Sequence, residues 1–208
     1  MKFWILQTGE PIHTDNSNLR PMRAMNLSNK LISFGHEVVL WTSAYDHQNK
    51  RHRVKDYKVI QVKPGLEIRL IPSMGYKRHL GLKRLLDHFQ LAFNLNKILK
   101  LETSKPDMVF IGYPPIESSY VLSRWARENE VPSILDVKDL WPSMFVDAFP
   151  LALKPLARIF FHPYFKYAKK TIKNVNALSA MAPSFLDWVL DFGGRHKTQS
   201  DKVFRLTS

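Results

Sequence analysis

The sequence predicts an α/β fold: a single Rossmann-like domain whose mostly parallel sheet carries helices on both faces. Two observations predict it. Short apolar runs alternate with stretches of helical periodicity along nearly the whole chain, the pattern of βαβ units. The polar loops that follow several of those runs are chemically unusual, as expected where parallel strands end beside a ligand crevice.

The elements read off in order. KFWILQ (2–7) is a short, almost wholly apolar run and predicts a buried strand. Residues 19–34 place Met22, Met25, Leu27, Leu31 and Phe34 at roughly helical spacing. GHEVVLWTS (35–43) predicts a turn and a strand. YKVIQV and LEIRLIP flank Pro64-Gly65 and suit a hairpin, and 44–58 before them is a long loop rich in Lys, Arg and His. Residues 81–101 set Leu82, Leu85, Leu86, Phe89, Phe93 and Leu99 mostly along one helical face. DMVFIG (107–112) predicts a strand, and the helix 116–130 follows Pro114-Pro115, residues that a helix start tolerates. PSILDV (132–137) is the next strand, and 151–173 is a long helical region. Residues 174–183 form a strand, and the helix 184–193 opens at Ser184 and closes at Gly193-Gly194. DKVFRLTS closes the chain as a last strand, giving six or seven in all.

Composition narrows the function. With 208 residues, 45% hydrophobic and 24% charged, the chain can bury a sizeable core. It has no cysteine, which excludes thiolate chemistry and a disulfide scaffold and leans toward the cytoplasm. No apolar stretch is long enough to span a bilayer, and the run Phe3 to Leu6 is too short for a secretory signal. A net charge of +13 calls for an anionic partner: nucleic acid, an acidic lipid surface or a phosphorylated ligand. The loop after the first strand, TGEPIHTDNSN, has neither the G-x-G-x-x-G nor the Walker pattern, which argues against nicotinamide-dependent and P-loop enzymes. His47 and His52 form no tight ligand cluster, so no metal site is predicted.

Three strand-end loops carry the candidate chemistry: 8–18, GYPPIE (112–117) and KDLWP (138–142). In the first, Gly9, Glu10 and His13 are candidates for substrate contact. Ser17 and Asn18 stand at the expected start of the first helix, where they either help backbone N–H groups hold a phosphate or cap the helix. Tyr113 and Pro114 are substrate-binding candidates in the second loop. In the third, Asp139 is placed either to act on a substrate or to cap the next turn, and Lys138 either to meet a phosphate or to face solvent. Trp141 is expected to pack under the loop and Asp136 to serve as internal support.

FGHEVVLWTS, YPPIESSYVLSRWARENEVPSILDVKDLWP and ALSAMAPSFLDWV, in this order and spacing, resemble the N-terminal half of a GT-B glycosyltransferase of family 4. The resemblance is to bacterial enzymes that build O-antigen and capsular polysaccharides. It implies that 1–208 is the acceptor-side Rossmann-like domain and that a C-terminal nucleotide-sugar-binding domain, or a partner subunit, lies on another stretch of chain. It implies sugar transfer with retention from a nucleotide-sugar donor to a lipid-diphosphate-linked glycan, without a required metal or other cofactor. Asp139 and Lys138 would then be the catalytic candidates, and Arg23 matches a helix-one arginine of the family. Departures stand at Ser17-Asn18, where relatives often carry paired glycines, and at Lys138-Asp139, where many carry His-Asp.

The positive charge concentrates where a membrane-linked acceptor needs it. Residues 151–174 set Arg158, Lys166, Lys169 and Lys170 beside large apolar residues including Phe161 and Tyr164, a pattern shared by interfacial helices and by helices that cover a sheet. The expected location is cytoplasmic, peripheral to the inner face of the plasma membrane. The alternatives from other classes are a non-catalytic subunit of a split transferase and a basic nucleic-acid-binding module. Dispersed bases and no recognition motif argue against nucleic acid as a partner.

Overall fold

The computed structural model describes residues 1–15, 20–77 and 81–205. They fall into two compact units, 1–110 and 111–208. Both are built from mostly parallel strands with following helices, the α/β class that the sequence predicts.

In the first unit the strands are β1 (Lys2–Leu6), β2 (Glu37–Ser43), β5 (Lys58–Lys63) and β6 (Leu66–Ile71), in the order β1-β2-β6-β5. β1 pairs parallel to β2 and β2 parallel to β6, while β5 returns antiparallel through the predicted hairpin. Gly65 sits in its turn at φ 80°, where a Cβ would stand 3.3 Å from the His36 carbonyl oxygen. The apolar runs are buried as read: Trp4, Ile5, Leu6, Val38, Leu40, Trp41, Leu66, Ile68 and Leu70 are all at most 1% exposed. Leu27, Leu31 and Ile32 of α1 (Arg23–Ser33) close one face of this core. The predicted long loop instead contains a two-stranded antiparallel hairpin, β3 (Tyr45–Asp46) with β4 (Arg51–His52). Strands of two residues leave no periodicity for a sequence reading to detect.

The helix α2 (Leu82–Leu101) divides its apolar residues between two faces. It buries Asp87, His88, Leu91, Ala92, Leu95 and Leu99. Leu82, Leu86, Phe89 and Phe93, four members of the predicted apolar stripe, are exposed, at 71%, 54%, 48% and 58%.

β7 (Met108–Tyr113) runs through the boundary between the units. In the second unit β8 (Ser133–Val137), β9 (Ala177–Ala180) and β10 (Lys202–Val203) pair parallel. Their helices are α3 (Ile116–Glu128), α4 (Ser143–Asp147), α5 (Lys154–Phe160), α6 (His162–Asn174) and α7 (Pro183–Gly193). The expected long helix 151–173 is thus two helices, led by a short 3₁₀ turn at Leu151–Leu153 and divided at Phe161. Pro155 and Pro163 each sit in the first turn of their helix, where a missing N–H costs nothing. α7 starts one residue before Ser184 and ends at Gly194, in the left-handed conformation that closes many helices. Gly193 lies against the Ile172 side chain of α6, leaving no room for a Cβ. Among the described residues no helix is long and apolar enough to cross a membrane.

Candidate functional site

Because β1, β2 and β6 run parallel, the loops after them emerge on one edge of the first unit. Glu10 is 5% exposed, and its Oε2 accepts the N–H of Ala24 at 2.8 Å. α1 has no side-chain cap of its own, so a carboxylate from the preceding loop fills its N-terminus, where the helix dipole favours negative charge. Glu10 is expected to contact the acceptor; in the structure one of its oxygens supports the start of α1. It also closes one of the N–H groups that a phosphate could have used. Ser17 and Asn18 lie outside the described residues. Gly9 is exposed, with open space where a Cβ would point. Arg23, the first residue of α1, is half-buried.

His13 is half-buried and bonds through Nε2 to Asn29 Oδ1 at 3.2 Å. Burial lowers its pKa; the Asn29 bond opposes the shift and the Lys63 charge adds to it. At neutral pH the ring is uncharged, able to accept or pass a proton.

The basic loop after β2 is a built structure. Arg53 grips Asp15 with two bonds, Nε to Oδ1 at 2.8 Å and Nη2 to Oδ2 at 2.6 Å, and donates to the carbonyls of Ser43 and Tyr45. Asp46 accepts the backbone N–H groups of Gln48 and Asn49 and the Asn49 amide. Burial opposes its ionisation, but these bonds and the Arg53 charge hold its pKa below the ordinary value.

Beside this hairpin lies a cluster that sequence reasoning missed. The Tyr76 hydroxyl meets His47 Nδ1, and the Tyr45 hydroxyl donates to the Tyr76 carbonyl. Lys50 and Arg84 both lie over the Tyr76 ring, 4.9 and 5.8 Å from its centre. Burial pushes the Tyr76 phenol up to about 12 and pulls His88 down to about 3, the latter helped by Arg84 and His47. Asp87 accepts the Gly75 N–H at 2.7 Å, and burial raises its carboxyl. Lys50 is lowered by burial and then by the Arg84 charge. The available signal was the bunching of Tyr, His and Lys after two strands that share an edge, together with an Asp-His pair in the helix that follows.

In the second unit, the lip after β8 is held from the end of β7. Lys138 N–H donates to the Tyr113 carbonyl at 3.0 Å, and the Tyr113 hydroxyl donates to the Trp141 carbonyl at 2.5 Å. Tyr113 is fully buried, which corrects its assignment to substrate: it braces the lip from beneath. Burial raises its phenol well above the ordinary value, and the charges of Glu117 and Asp139 add to this. Trp141 is 7% exposed and packs edge-on to Phe145 at 4.5 Å, so it lies under the lip as expected. The peptide bonds Tyr113–Pro114, Pro114–Pro115 and Trp141–Pro142 are cis, and Pro114 is half-buried. Lys138 and Asp139 stay half-buried at the rim. Asp139 Oδ1 accepts the N–H of the adjacent Leu140 at 2.9 Å, a local bond and not a helix cap, since α4 has no side-chain cap. Asp136 is 1% exposed and accepts the Ser179 hydroxyl from β9, an internal support.

Of the residues expected at a membrane, Arg158, Lys166, Lys169 and Lys170 are exposed. Tyr164 is buried, and burial followed by the charge of Glu117 raises its phenol above the ordinary range. Phe161 is half-buried against Phe145, Phe160 and Tyr164. These two aromatics are therefore packing residues. The exposed apolar set lies earlier, at Leu151, Leu156, Ile159 and Phe160, which are 84%, 71%, 76% and 68% exposed. Among the described residues no group of three His, Asp or Glu side chains could hold a metal ion.

A Rossmann-like α/β fold with polar, partly basic loops beyond its parallel strand ends is the form of a GT-B N-terminal domain. The sequence profile of Glycosyltransferase Family 4 matches residues 22–199, and the chain belongs to that family. Among solved structures, 46 chains match. Sucrose-phosphate synthase from Thermosynechococcus elongatus is similar at TM-score 0.59 and 11% identity, over 99% of this chain and 87% of that one. The catalytic domain of starch synthase IV from Arabidopsis thaliana, bound to ADP and acarbose, is similar at TM-score 0.57 and 11% identity, over 98% of this chain and 51% of that one. At this identity the likeness is one of fold. A search of curated protein sequences gives no significant match.

Proposed function

We propose that this chain is the acceptor-side domain of a retaining glycosyltransferase. It takes sugar from a nucleotide-sugar donor, held by a further domain or partner subunit, to a lipid-diphosphate-linked glycan in surface polysaccharide synthesis. The supporting observation is the lip after β8: two ionisable side chains, Lys138 and Asp139, kept at the rim of a strand end by neutral buried bonds from Tyr113. Family membership gives that lip its chemical context.

In such a transfer the bond between the anomeric carbon and the diphosphate oxygen breaks. The acceptor oxygen bonds to that carbon on the same face, and its proton leaves with the diphosphate. Positive charge builds on the sugar and negative charge on the leaving group, so oriented charges that meet both lower the barrier. Asp139 is the group to hold an acceptor sugar hydroxyl beside the anomeric carbon, where its charge also meets the positive charge that builds there, and Lys138 the group to face phosphate. His13, neutral at pH 7, is a candidate to hold an acceptor hydroxyl, with Gly9 and Arg23 beside the same loop. No step is assigned to a metal. The exposed apolar residues of α5, with Arg158, Lys166, Lys169 and Lys170, form the face expected to meet an anionic cytoplasmic leaflet.

Titration of the purified chain with a short-chain prenyl-diphosphate-linked sugar, and separately with nucleotide sugars, tests this reading. The lipid-linked sugar binds, and Asp139→Ala weakens it roughly tenfold, the loss of one charge-assisted hydrogen bond. A chain that binds nucleotide sugars and ignores the lipid-linked glycan overturns the assignment.

A further inference from the structure

We propose that Asn29 and Lys63 hold His13 in one tautomer, so that its Nδ1 accepts a hydrogen bond from a hydroxyl of the acceptor's sugar. Asn29 and Lys63 are then positioning residues. This role rests on the acceptor-side reading proposed above; it adds the atom, the kind of group that atom recognises and the residues that prepare it.

Three separate elements meet here. His13 comes from the loop after β1, Asn29 from α1 and Lys63 from the end of β5. The backbone under His13 is a closed turn. The Asp15 N–H donates to the Ile12 carbonyl at 2.9 Å, and the Ile12 N–H donates to the Asp15 carboxylate at 3.0 Å. Arg53 grips the same carboxylate, so the turn is fixed from outside as well.

The position of the ring hydrogen follows from the neighbours. An ammonium has hydrogens to give and no lone pair. Lys63 Nζ lies 3.1 Å from Asn29 Oδ1, so the amide must turn its oxygen, not its NH₂, toward this corner. His13 Nε2 lies 3.2 Å from the same oxygen. That oxygen can only accept, so Nε2 carries the hydrogen and donates it. In a neutral imidazole the other nitrogen is then an acceptor with a bare lone pair. Burial and, after it, the Lys63 charge keep the ring neutral at pH 7, against the opposing effect of the Asn29 bond. The nearby Asp15 charge is matched by Arg53. Nδ1 is buried and bonds to no described residue.

A buried acceptor without a donor is costly and rare in folded proteins, and calls for a group that supplies one. The carboxylates of this edge, Glu10, Asp15 and Asp46, are bonded to their neighbours. His13 is bonded through Nε2 and open through Nδ1. Whatever meets Nδ1 must bring a hydrogen. The diphosphate of a lipid-linked glycan offers acceptor oxygens alone, whereas its sugar offers hydroxyls. The corner therefore recognises the sugar end of the acceptor.

Glutamine separates the two nitrogens, because its amide nitrogen stands where Nε2 does and nothing stands at Nδ1. His13→Gln keeps a donor to Asn29 and loses the lone pair. It should weaken binding of the short-chain prenyl-diphosphate-linked sugar about fivefold to tenfold, while the same prenyl diphosphate without sugar binds variant and parent alike. Asn29→Asp still accepts from Nε2 but favours the imidazolium, whose Nδ1 no longer accepts. The pH below which this variant loses the lipid-linked sugar should lie about one unit or more above that of the parent. Nitrogen-15 shifts of the imidazoles, with His13 identified by its absence from the Gln variant, should show Nε2 protonated and Nδ1 bare at pH 7. Lys63→Met alters an exposed side chain and frees the amide to turn, so the hydrogen should then be shared between the two nitrogens. A Gln variant that binds the lipid-linked sugar like the parent, or that weakens the sugarless diphosphate equally, overturns the role of Nδ1 and leaves the acceptor-side reading standing. So does a parent ring with its hydrogen on Nδ1. A parent chain that ignores the lipid-linked sugar overturns that reading and this role together.

Discussion

The two strand-end edges handle charge in opposite ways. In the first unit the ionisable groups are internal structure: Glu10 caps α1, Asp15 is locked to Arg53, Asp46 organises a hairpin, and His88 lies under Tyr76. In the second unit the lip is held by neutral bonds, a phenol to a carbonyl and an amide to a carbonyl, and the ionisable pair Lys138–Asp139 is left at the rim. A charge that supports the fold is committed to its neighbours, whereas the lip takes its support from neutral groups and carries its charges at the surface. Substitutions at the first edge should therefore register in stability, and those at the lip in binding.

Arg53→Ala is the strongest test of that division. It leaves the Asp15 carboxylate, whose side chain is 6% exposed, without its partner. Removing one member of a buried pair costs about 3–5 kcal/mol, so urea unfolding at pH 7 should show a loss of that size. A change below about 1 kcal/mol would place the pair with surface ion pairs and weaken the contrast.

The next effect is one of pH. The imidazole of His88 titrates at about 3 in the folded chain and near 6.5 when unfolded. Between those values the unfolded chain binds a proton that the native chain does not, so stability falls as pH drops below about 6.5 and goes on falling toward 3. A pH of 4.5 lies about two units below the ordinary imidazole pKa, which corresponds to roughly 2–3 kcal/mol lost relative to pH 7. His88→Gln should flatten that part of the wild-type stability profile. Parallel profiles for the two proteins would show that His88 is not the group responsible.

The sequence made the sheet legible because its signal is local. β1, β2, β6, β7, β8 and β9 each contain a run of apolar or alternating residues bounded by turns, and all six fall within a few residues of the expected positions. At α2 periodicity located the helix and its apolar stripe but could not say which face meets the sheet. The partners that draw Asp87 and His88 inward, Gly75 and Tyr76, lie on another loop and carry no helical pattern. Tyr113 was misplaced for a related reason. A tyrosine at a strand end suits a ligand, and only the tertiary fold shows its hydroxyl spent on Trp141. Asp136 and Trp141 were readable because strand alternation and a Trp-Pro turn both point inward.

The smallest stability effect belongs to the residue with the largest proposed role. Asp139 is half-buried, and its bond to a described residue is a local one to the N–H of Leu140. Losing a single local hydrogen bond costs about 1 kcal/mol or less at such a site, so Asp139→Ala should unfold close to the parent in urea while its affinity for the lipid-linked sugar falls. Asp139→Asn separates the two roles further. The amide oxygen can still accept from Leu140, so stability should not move, yet the negative charge is gone. If Asp139 serves by charge, the Asn variant binds as poorly as the Ala variant. If it binds like the parent, the carboxylate is only a local support, and the division between a structural edge and a ligand-facing lip loses its clearest example.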